Sequence, residues 1–240
     1  MNEQSYQNLL QEKQRLVAEL SIANKELIFQ NQEKEKRAAE LVIINEELHE
    51  SLLNTVRVAM ILSELRDPYT AGHERRVAEI CVAICAELGF EKHRQEGMRV
   101  AGYLHDIGKI QIPAEILSMP RALTKIEYSL ICEHSQSGYN VLKSVRFPWP
   151  IAEIVLQHHE RMDGSGYPNK LKGESIIFEA RILAVADTVE AMASHRPYRA
   201  ALGIEKALIE IEQGRGKLFD TAVVDACLKL FREKEFKIPD

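Results

Sequence analysis

The chain has 240 residues, of which 45% are hydrophobic and 28% charged, and its formal net charge at pH 7 is −5. This composition supports a folded core and excludes a disordered chain or a polycation that binds a nucleic-acid polymer. The apolar runs are far shorter than the roughly 18–20 residues that cross a bilayer, so we expect a cytoplasmic protein without membrane insertion.

The N-terminal part is predicted to be one long helix. Residues 1–67 contain no glycine or proline, whereas all 12 glycines and all 8 prolines follow them. Leucines recur there at heptad spacing, at Leu20, Leu27, Leu41, Leu48 and Leu62. This pattern predicts a coiled coil over residues 1–65, which pairs with a second copy as a parallel homodimer. Polar residues occupy the heptad positions at the centre of this predicted coiled-coil seam. The alternative is therefore a single solvated helix or a disordered N-terminal segment.

Residues 66–240 are predicted to form an all-α domain. Glycines and prolines divide them into segments of about 10 to 20 residues with helical rather than alternating periodicity. We predict helices at about 71–88, 92–106, 125–143, 150–160, 176–193, 203–213 and 221–233. Thr124 with Glu127 predicts a capping box, and Asp220 predicts an N-cap.

The four cysteines are predicted to be reduced. They form no C-x-x-C pair, and two of them stand one helical turn apart in an apolar stretch: Cys81, Cys85, Cys132 and Cys227. We therefore expect all four thiols to lie in the core.

Pairs of metal-binding residue types end two of the predicted helices. His105-Asp106 and His158-His159 each follow an apolar segment, where neighbouring side chains can reach one divalent ion. Asp187 ends another apolar segment, in which an ionised carboxylate needs a positive partner. Arg181 is the simplest partner, but a spacing of six residues puts it on a different helix face.

These residues together predict a metal centre. Taken singly, His73 and His134 are more simply interpreted as hydrogen-bonded core histidines. The complete set of candidates contains five imidazoles and two carboxylates: His73, His105, Asp106, His134, His158, His159 and Asp187. Because this exceeds the needs of one ion, we predict two divalent ions bridged by Asp106.

The order of six motifs resembles the HD-GYP family of bacterial phosphodiesterases over about residues 60–235. The motifs are H-x-x-R-V at 73–77, L-H-D-I-G-K at 104–109, H-x-x-x-G at 134–138, H-H-E-x-x-D-G-S-G-Y-P at 158–168, A-R-I-L-A-V-A-D at 180–187 and R-P-Y-R at 196–199. The resemblance implies an HD-domain helical bundle in residues 66–240. It also implies that the seven candidates are the metal ligands, with iron or manganese as the ions.

The resemblance further implies the reaction. The family hydrolyses cyclic di-GMP to linear pGpG, and in some members on to GMP, by attack of a hydroxide that bridges two metals. Asp106 and Lys109 would then be the catalytic residues. The implied substrate-binding residues are Lys109, Tyr167, Arg196 and Arg199. The N-terminal helix is similar to the linkers that join such domains to upstream sensor domains or signalling proteins.

Several positions depart from the family pattern. Tyr69 stands where some members carry a glutamate that holds a third metal, which favours a two-metal site here. Glu190 replaces a more common aspartate, Ser135 a proline, and Met119 a lysine. The alternative substrate is another nucleotide, either a mixed cyclic or a linear one. The alternative function is that of a catalytically silent module that binds cyclic di-GMP without hydrolysing it.

Overall fold

The computed structural model describes residues 3–65, 72–119, 121–194 and 202–238. Apart from one isolated bridge between Arg215 and Phe219, these residues form helices and connecting turns. The helices are α1 (Glu3–Glu64), α2 (His73–Glu87), α3 (Lys92–Leu104), α4 (Ala114–Leu117), α5 (Lys125–Cys132), α6 (His134–Leu142), α7 (Ile151–Gln157), α8 (Phe178–Ala193), α9 (Ile204–Gln213) and α10 (Thr221–Arg232). Short 3-10 helices span Ile107–Gln111 and Gly173–Ser175. The predicted all-α class with a long N-terminal helix is confirmed.

The chain divides into two compact units, Met1–Leu52 and Leu53–Asp240. This division falls earlier than the boundary at residues 65/66 that we expected from the sequence. In the first unit, the heptad leucines are 56–67% exposed: Leu20, Leu27, Leu41 and Leu48. None of the described helices is long and apolar enough to span a membrane.

The last turns of α1 belong to the second unit. Val56 and Met60 are buried in its core. The hydroxyl of Ser63 donates to the backbone carbonyl of Asp106 at 3.5 Å, and Glu64 Oε1 accepts from the amide of Gly72 at 2.8 Å. The end of α1 is therefore attached to the backbone beside two of the predicted metal ligands.

Three predicted helices end earlier than we expected or are interrupted, each within two residues of a histidine. The predicted helices 92–106 and 150–160 stop at Leu104 and Gln157, and the single helix predicted at 125–143 is wrong because it breaks into α5 and α6. The histidine that follows in each case, His105, His134 or His158, bonds through its ring to the carbonyl three residues earlier. That carbonyl would otherwise serve the backbone ladder, so the side chain competes with helix continuation.

The predicted caps are confirmed. Thr124 and Glu127 form a reciprocal capping box at α5, and the carboxylate of Asp220 accepts from the amides of Ala222 and Val223 at α10. All four cysteines are free, as predicted. Cys132 is a correction, because it is only half-buried. It ends α5, a helix without a buried residue, and so lies at the surface.

Two glycines bring the segment around residues 105–106 against its neighbours. A Cβ on Gly102 would lie 2.5 Å from the Cα of Ala78 in α2. A Cβ on Gly108 would lie 2.0 Å from the carbonyl oxygen of His134 and 2.5 Å from the amide nitrogen of Gly138. The absence of side chains at these positions therefore allows α3 to approach α2 and the 3-10 turn to approach α6.

Gly108→Ala should destabilise the second unit by about 3 kcal/mol or more, because the new methyl group would overlap backbone atoms that cannot rotate away. Urea unfolding followed by the fluorescence of Trp149 measures the change. Gly89→Ala is the matched control. Its Cβ would meet no atom within 4 Å but φ is +78°, so it should cost only about 1–2 kcal/mol. Equal costs for the two variants would contradict the close approach at Gly108.

Candidate metal centre

The structure brings the seven predicted ligands into one cluster, at the starts of α2 and α6, just after α3 and α7, and within α8. Two groups of three each place ligand atoms within 4.8 Å of one another: His73, His105 and Asp106, and His134, His158 and His159. Asp187 joins the first group, since its Oδ1 lies 3.3 Å from Nε2 of His73 and 4.0 Å from Nε2 of His105.

Asp106 faces both groups. Its Oδ1 lies 3.3 Å from Nε2 of His134, and its Oδ2 lies 3.4 Å from Nε2 of His105 and 3.9 Å from Nε2 of His73. The carboxylate thus presents one oxygen to each side of the cluster. This is the arrangement that a bridging ligand between two ions needs.

Hydrogen bonds fix the protonation of the ring nitrogens. In three histidines, Nδ1 lies 2.6–2.8 Å from the backbone carbonyl oxygen three residues earlier: His105, His134 and His158. A carbonyl only accepts, so each Nδ1 carries the proton and each Nε2 presents an unshared electron pair. In His73, Nδ1 bonds instead to Oε2 of Glu190.

The arrangement of these electron pairs fits a cation. Nε2 of His134 lies 3.3 Å from Nε2 of His158, although neither nitrogen has a proton to donate. Within the described part of the chain, Nε2 of His105 is buried without a hydrogen-bond partner. Acceptors that face acceptors in a buried space are unfavourable unless a positive charge lies among them. The donor set of imidazole nitrogens and carboxylate oxygens therefore fits divalent transition metals.

Protons on the histidine rings do not supply this positive charge at neutral pH, because the pKa values of four of these rings are low. Burial lowers the pKa of His158 to about 3, with the neighbouring rings of His134 and His105 adding to the effect. Burial also lowers the pKa values of His105, His134 and His159 below the usual value for histidine. Neutral imidazole is the form that binds a metal ion.

The two aspartates are ionised. Burial alone would raise the pKa of Asp106, but Lys109, His105 and His134 outweigh burial and hold that pKa well below its usual value. The ammonium of Lys109 lies 2.6 Å from Oδ2 of Asp106. For Asp187, burial is likewise outweighed, here by His73 and His105, and its pKa also falls well below the usual value.

Glu190 is a site residue that sequence reasoning missed, because we noted it only as a departure from the family pattern. It is fully buried and contacts Nδ1 of His73 with one oxygen. Its other oxygen accepts from Nε of Arg76 at 2.7 Å and from the hydroxyl of Ser194 at 2.6 Å. The sequence did contain a signal for this role, because Glu190 lies in an apolar helical segment three residues after Asp187. Such a carboxylate orients a metal-binding histidine and raises its basicity.

Glu74 is a second missed residue. It directly follows His73 and is 2% exposed, and its Oε2 has no hydrogen-bond partner among the residues that the structure describes. Burial raises its pKa to about 8. The side chain is therefore mostly neutral at pH 7 and adds little negative charge beside Asp106.

The predicted substrate-binding residues are only partly described. The ring of Tyr167 lies over His159, with centroids 4.7 Å apart and planes at 31°. Arg196, Arg199 and Tyr69 lie outside the described residues. Their predicted roles rest on the sequence alone.

The family model of the HD domain matches residues 57–223. This chain belongs to the HD domain family. The predicted membership of its HD-GYP group is also confirmed. The chain is 41% identical over 191 residues to a cyclic di-GMP phosphodiesterase of Thermotoga maritima, covering 78% of this chain and 51% of the relative. It is 35% identical over 175 residues to 3'3'-cGAMP-specific phosphodiesterase 1 of Vibrio cholerae, covering 69% and 41%.

A solved structure shares the fold. It is Bd1817, an HDG"Y"P protein from Bdellovibrio bacteriovorus, with a TM-score of 0.56 and 15% identity, covering 67% of this chain and 51% of that chain. The present chain spans about half the length of the curated relatives it matches.

Glu190→Gln should lower the affinity of the metal-depleted protein for Mn²⁺ by about 10- to 100-fold, because the neutral amide supports the ring of His73 less well than a carboxylate. Titration with Mn²⁺ followed by calorimetry measures this. Glu179→Gln, on the same helix but paired with Arg94 away from the cluster, should bind as the wild type does. An unchanged affinity in Glu190→Gln would contradict the assigned role.

Proposed function

We propose that this chain is a metal-dependent phosphodiesterase that hydrolyses cyclic di-GMP to linear pGpG, the product that some members of the family cleave further to GMP. The observation that supports it most is the position of Asp106, with one carboxylate oxygen toward each group of ligands. Two relatives are named as phosphodiesterases of cyclic dinucleotides, which agrees with this proposal.

We further propose two ions, iron or manganese. One would be held by His73, His105, Asp106 and Asp187, and the other by Asp106 and the three-histidine group of His134, His158 and His159. When bound, such a pair supplies Lewis-acid activation of water and neutralises charge on the phosphoryl oxygens.

Lys109 is proposed to act with Asp106. Its ammonium contacts Oδ2 of Asp106, and its side chain is 15% exposed, so it lies between the buried ligands and solvent. From this position a positive charge stabilises the negative charge that develops on a phosphodiester in the transition state. Tyr167 is proposed to contact the substrate. Arg196 and Arg199 suit phosphate or guanine recognition by their residue type.

The preference for cyclic di-GMP is the finer part of the proposal. The identity to the relative named for cyclic di-GMP, 41%, exceeds the identity to the relative named for 3'3'-cGAMP, 35%. The second candidate is therefore hydrolysis of a mixed cyclic dinucleotide. Incubation of the Mn²⁺-loaded or Fe²⁺-loaded chain with cyclic di-GMP, 3'3'-cGAMP and cyclic di-AMP separately, followed by chromatography, distinguishes these substrates. Binding of cyclic di-GMP without any product would instead show a silent module.

Asp106→Ala and Lys109→Ala should fail in different ways. Asp106→Ala removes the shared carboxylate, so both metal retention and hydrolysis should be lost. Lys109→Ala should keep both metals and lose rate by about 10²- to 10³-fold, as removal of a transition-state charge donor does. Metal analysis and product formation are measured on the same samples. Equal metal depletion in both variants would show that Lys109 only maintains the site.

We also propose that α1 forms a parallel homodimer in the cytoplasm and connects the catalytic domain to an upstream sensor domain or signalling protein. The exposed leucines of residues 3–52 support this, since a helix with such a stripe buries it against a partner.

Light scattering should therefore give twice the chain mass of 27.3 kDa. Leu41→Glu, within the predicted seam, should shift the protein toward the monomer because it places a charge in the interface. Ile43→Glu is the matched control, since this residue is similarly exposed but lies outside the seam. A wild-type monomer at all concentrations, or equal effects of the two substitutions, would contradict the coiled coil.

A further inference from the structure

His159 is held differently from the other four histidines of the cluster. The rings of His73, His105, His134 and His158 each make a hydrogen bond through Nδ1. Among the described residues, neither ring nitrogen of His159 has a hydrogen-bond partner. Its ring is instead enclosed by other rings, at centroid distances of 4.0 Å to His158 and 4.7 Å to Tyr167. Ring packing, rather than a hydrogen bond, therefore sets its orientation.

Tyr167 belongs to a loop that folds back onto the end of α7. The amide of Tyr167 donates to the carbonyl of His159 at 3.3 Å. A Cβ on Gly166 would lie 2.4 Å from the carbonyl oxygen of His159 and 2.5 Å from the Cα of Glu160. The loop thus packs directly against the backbone that carries His159, which brings the ring of Tyr167 over the imidazole.

Glu160 holds this loop in place. It is 2% exposed, and its two carboxylate oxygens accept from the amides of Asn169 at 2.7 Å and Leu171 at 3.0 Å. No lysine or arginine of the described ranges forms an ion pair with it. A buried carboxylate without a cationic partner depends on such charge-assisted hydrogen bonds. The carboxylate next to His159 is therefore bound to the segment just after Tyr167.

We propose that Glu160 is a positioning residue for the metal centre. By anchoring residues 169–171, it keeps Tyr167 packed on His159 and so orients His159 toward the ion of the three-histidine group. This inference rests on the proposed two-metal site and deepens it. It also explains why Glu160 and the G-Y-P element at 166–168 occur in one motif, since the G-Y-P residues shape the loop and Glu160 holds it in place.

The test combines metal binding with the state of the His159 ring. Glu160→Gln keeps the size of the side chain, but its amide group offers one accepting oxygen in place of two. It should weaken one of the two Mn²⁺ binding steps by about 10- to 100-fold in calorimetry and leave the other step unchanged. Nuclear magnetic resonance of the metal-free protein should show altered ¹⁵N shifts for the ring of His159, while His105 and His134 keep their Nδ1 protons.

Two substitutions at Tyr167 keep the inference testable if Glu160→Gln does not fold. Tyr167→Leu removes the ring but leaves the anchor, and should reproduce both effects. Tyr167→Phe keeps the ring and should retain both metal-binding steps. Glu153→Gln, an exposed position on α7, the helix that precedes Glu160, is the control for charge and should behave as the wild type does.

The outcomes separate this inference from the proposed function. Wild-type metal affinity together with unchanged His159 signals in Glu160→Gln and Tyr167→Leu would overturn the positioning role. So would equal loss of both metal steps without a change specific to His159, because that result indicates general loosening of the fold. If the wild type bound no metal at all, the proposed function would fail, while the ring signals of His159 would still decide the role of Glu160.

Discussion

The convergence of unshared electron pairs in a buried space is the constraint on which the second unit depends. Backbone carbonyls at the helix ends take the Nδ1 protons of His105, His134 and His158, so their Nε2 atoms point inward as acceptors. The carboxylates of Asp106 and Asp187 face the same space. Such an arrangement is unfavourable unless positive charge lies inside it. Binding of a divalent ion there should therefore stabilise this unit.

The same hydrogen bonds explain which parts of the fold could be predicted from the sequence. Helical periodicity and glycine or proline punctuation located α2, α8, α9 and α10 closely, because their ends are set by local residues. The ends of α3, α5 and α7 were predicted too late, because a histidine side chain takes a backbone carbonyl there. Apolar periodicity contains no information about that competition.

The residues of the candidate site also divide into those that could be predicted from the sequence and those that could not. The seven candidate ligands could be selected from the sequence because their residue types and motif order are characteristic, and the structure brings these side chains together. The roles of the supporting carboxylates, Glu190 and Glu160, could not be predicted, since they depend on tertiary contacts. Glu190 reaches His73 across 117 positions of sequence. The expectation that Arg181 does not pair with Asp187 is confirmed, since Arg181 pairs with Glu174 and Asp220 instead.

Anomalous diffraction from crystals of the Mn²⁺-loaded protein tests the central claim most directly, because it counts the ions and locates each one. We predict two ions per chain, with one oxygen of Asp106 bound to each and His134, His158 and His159 all on one of them. A single ion, a third ion, or an Asp106 that contacts only one ion would contradict the bridged two-metal centre.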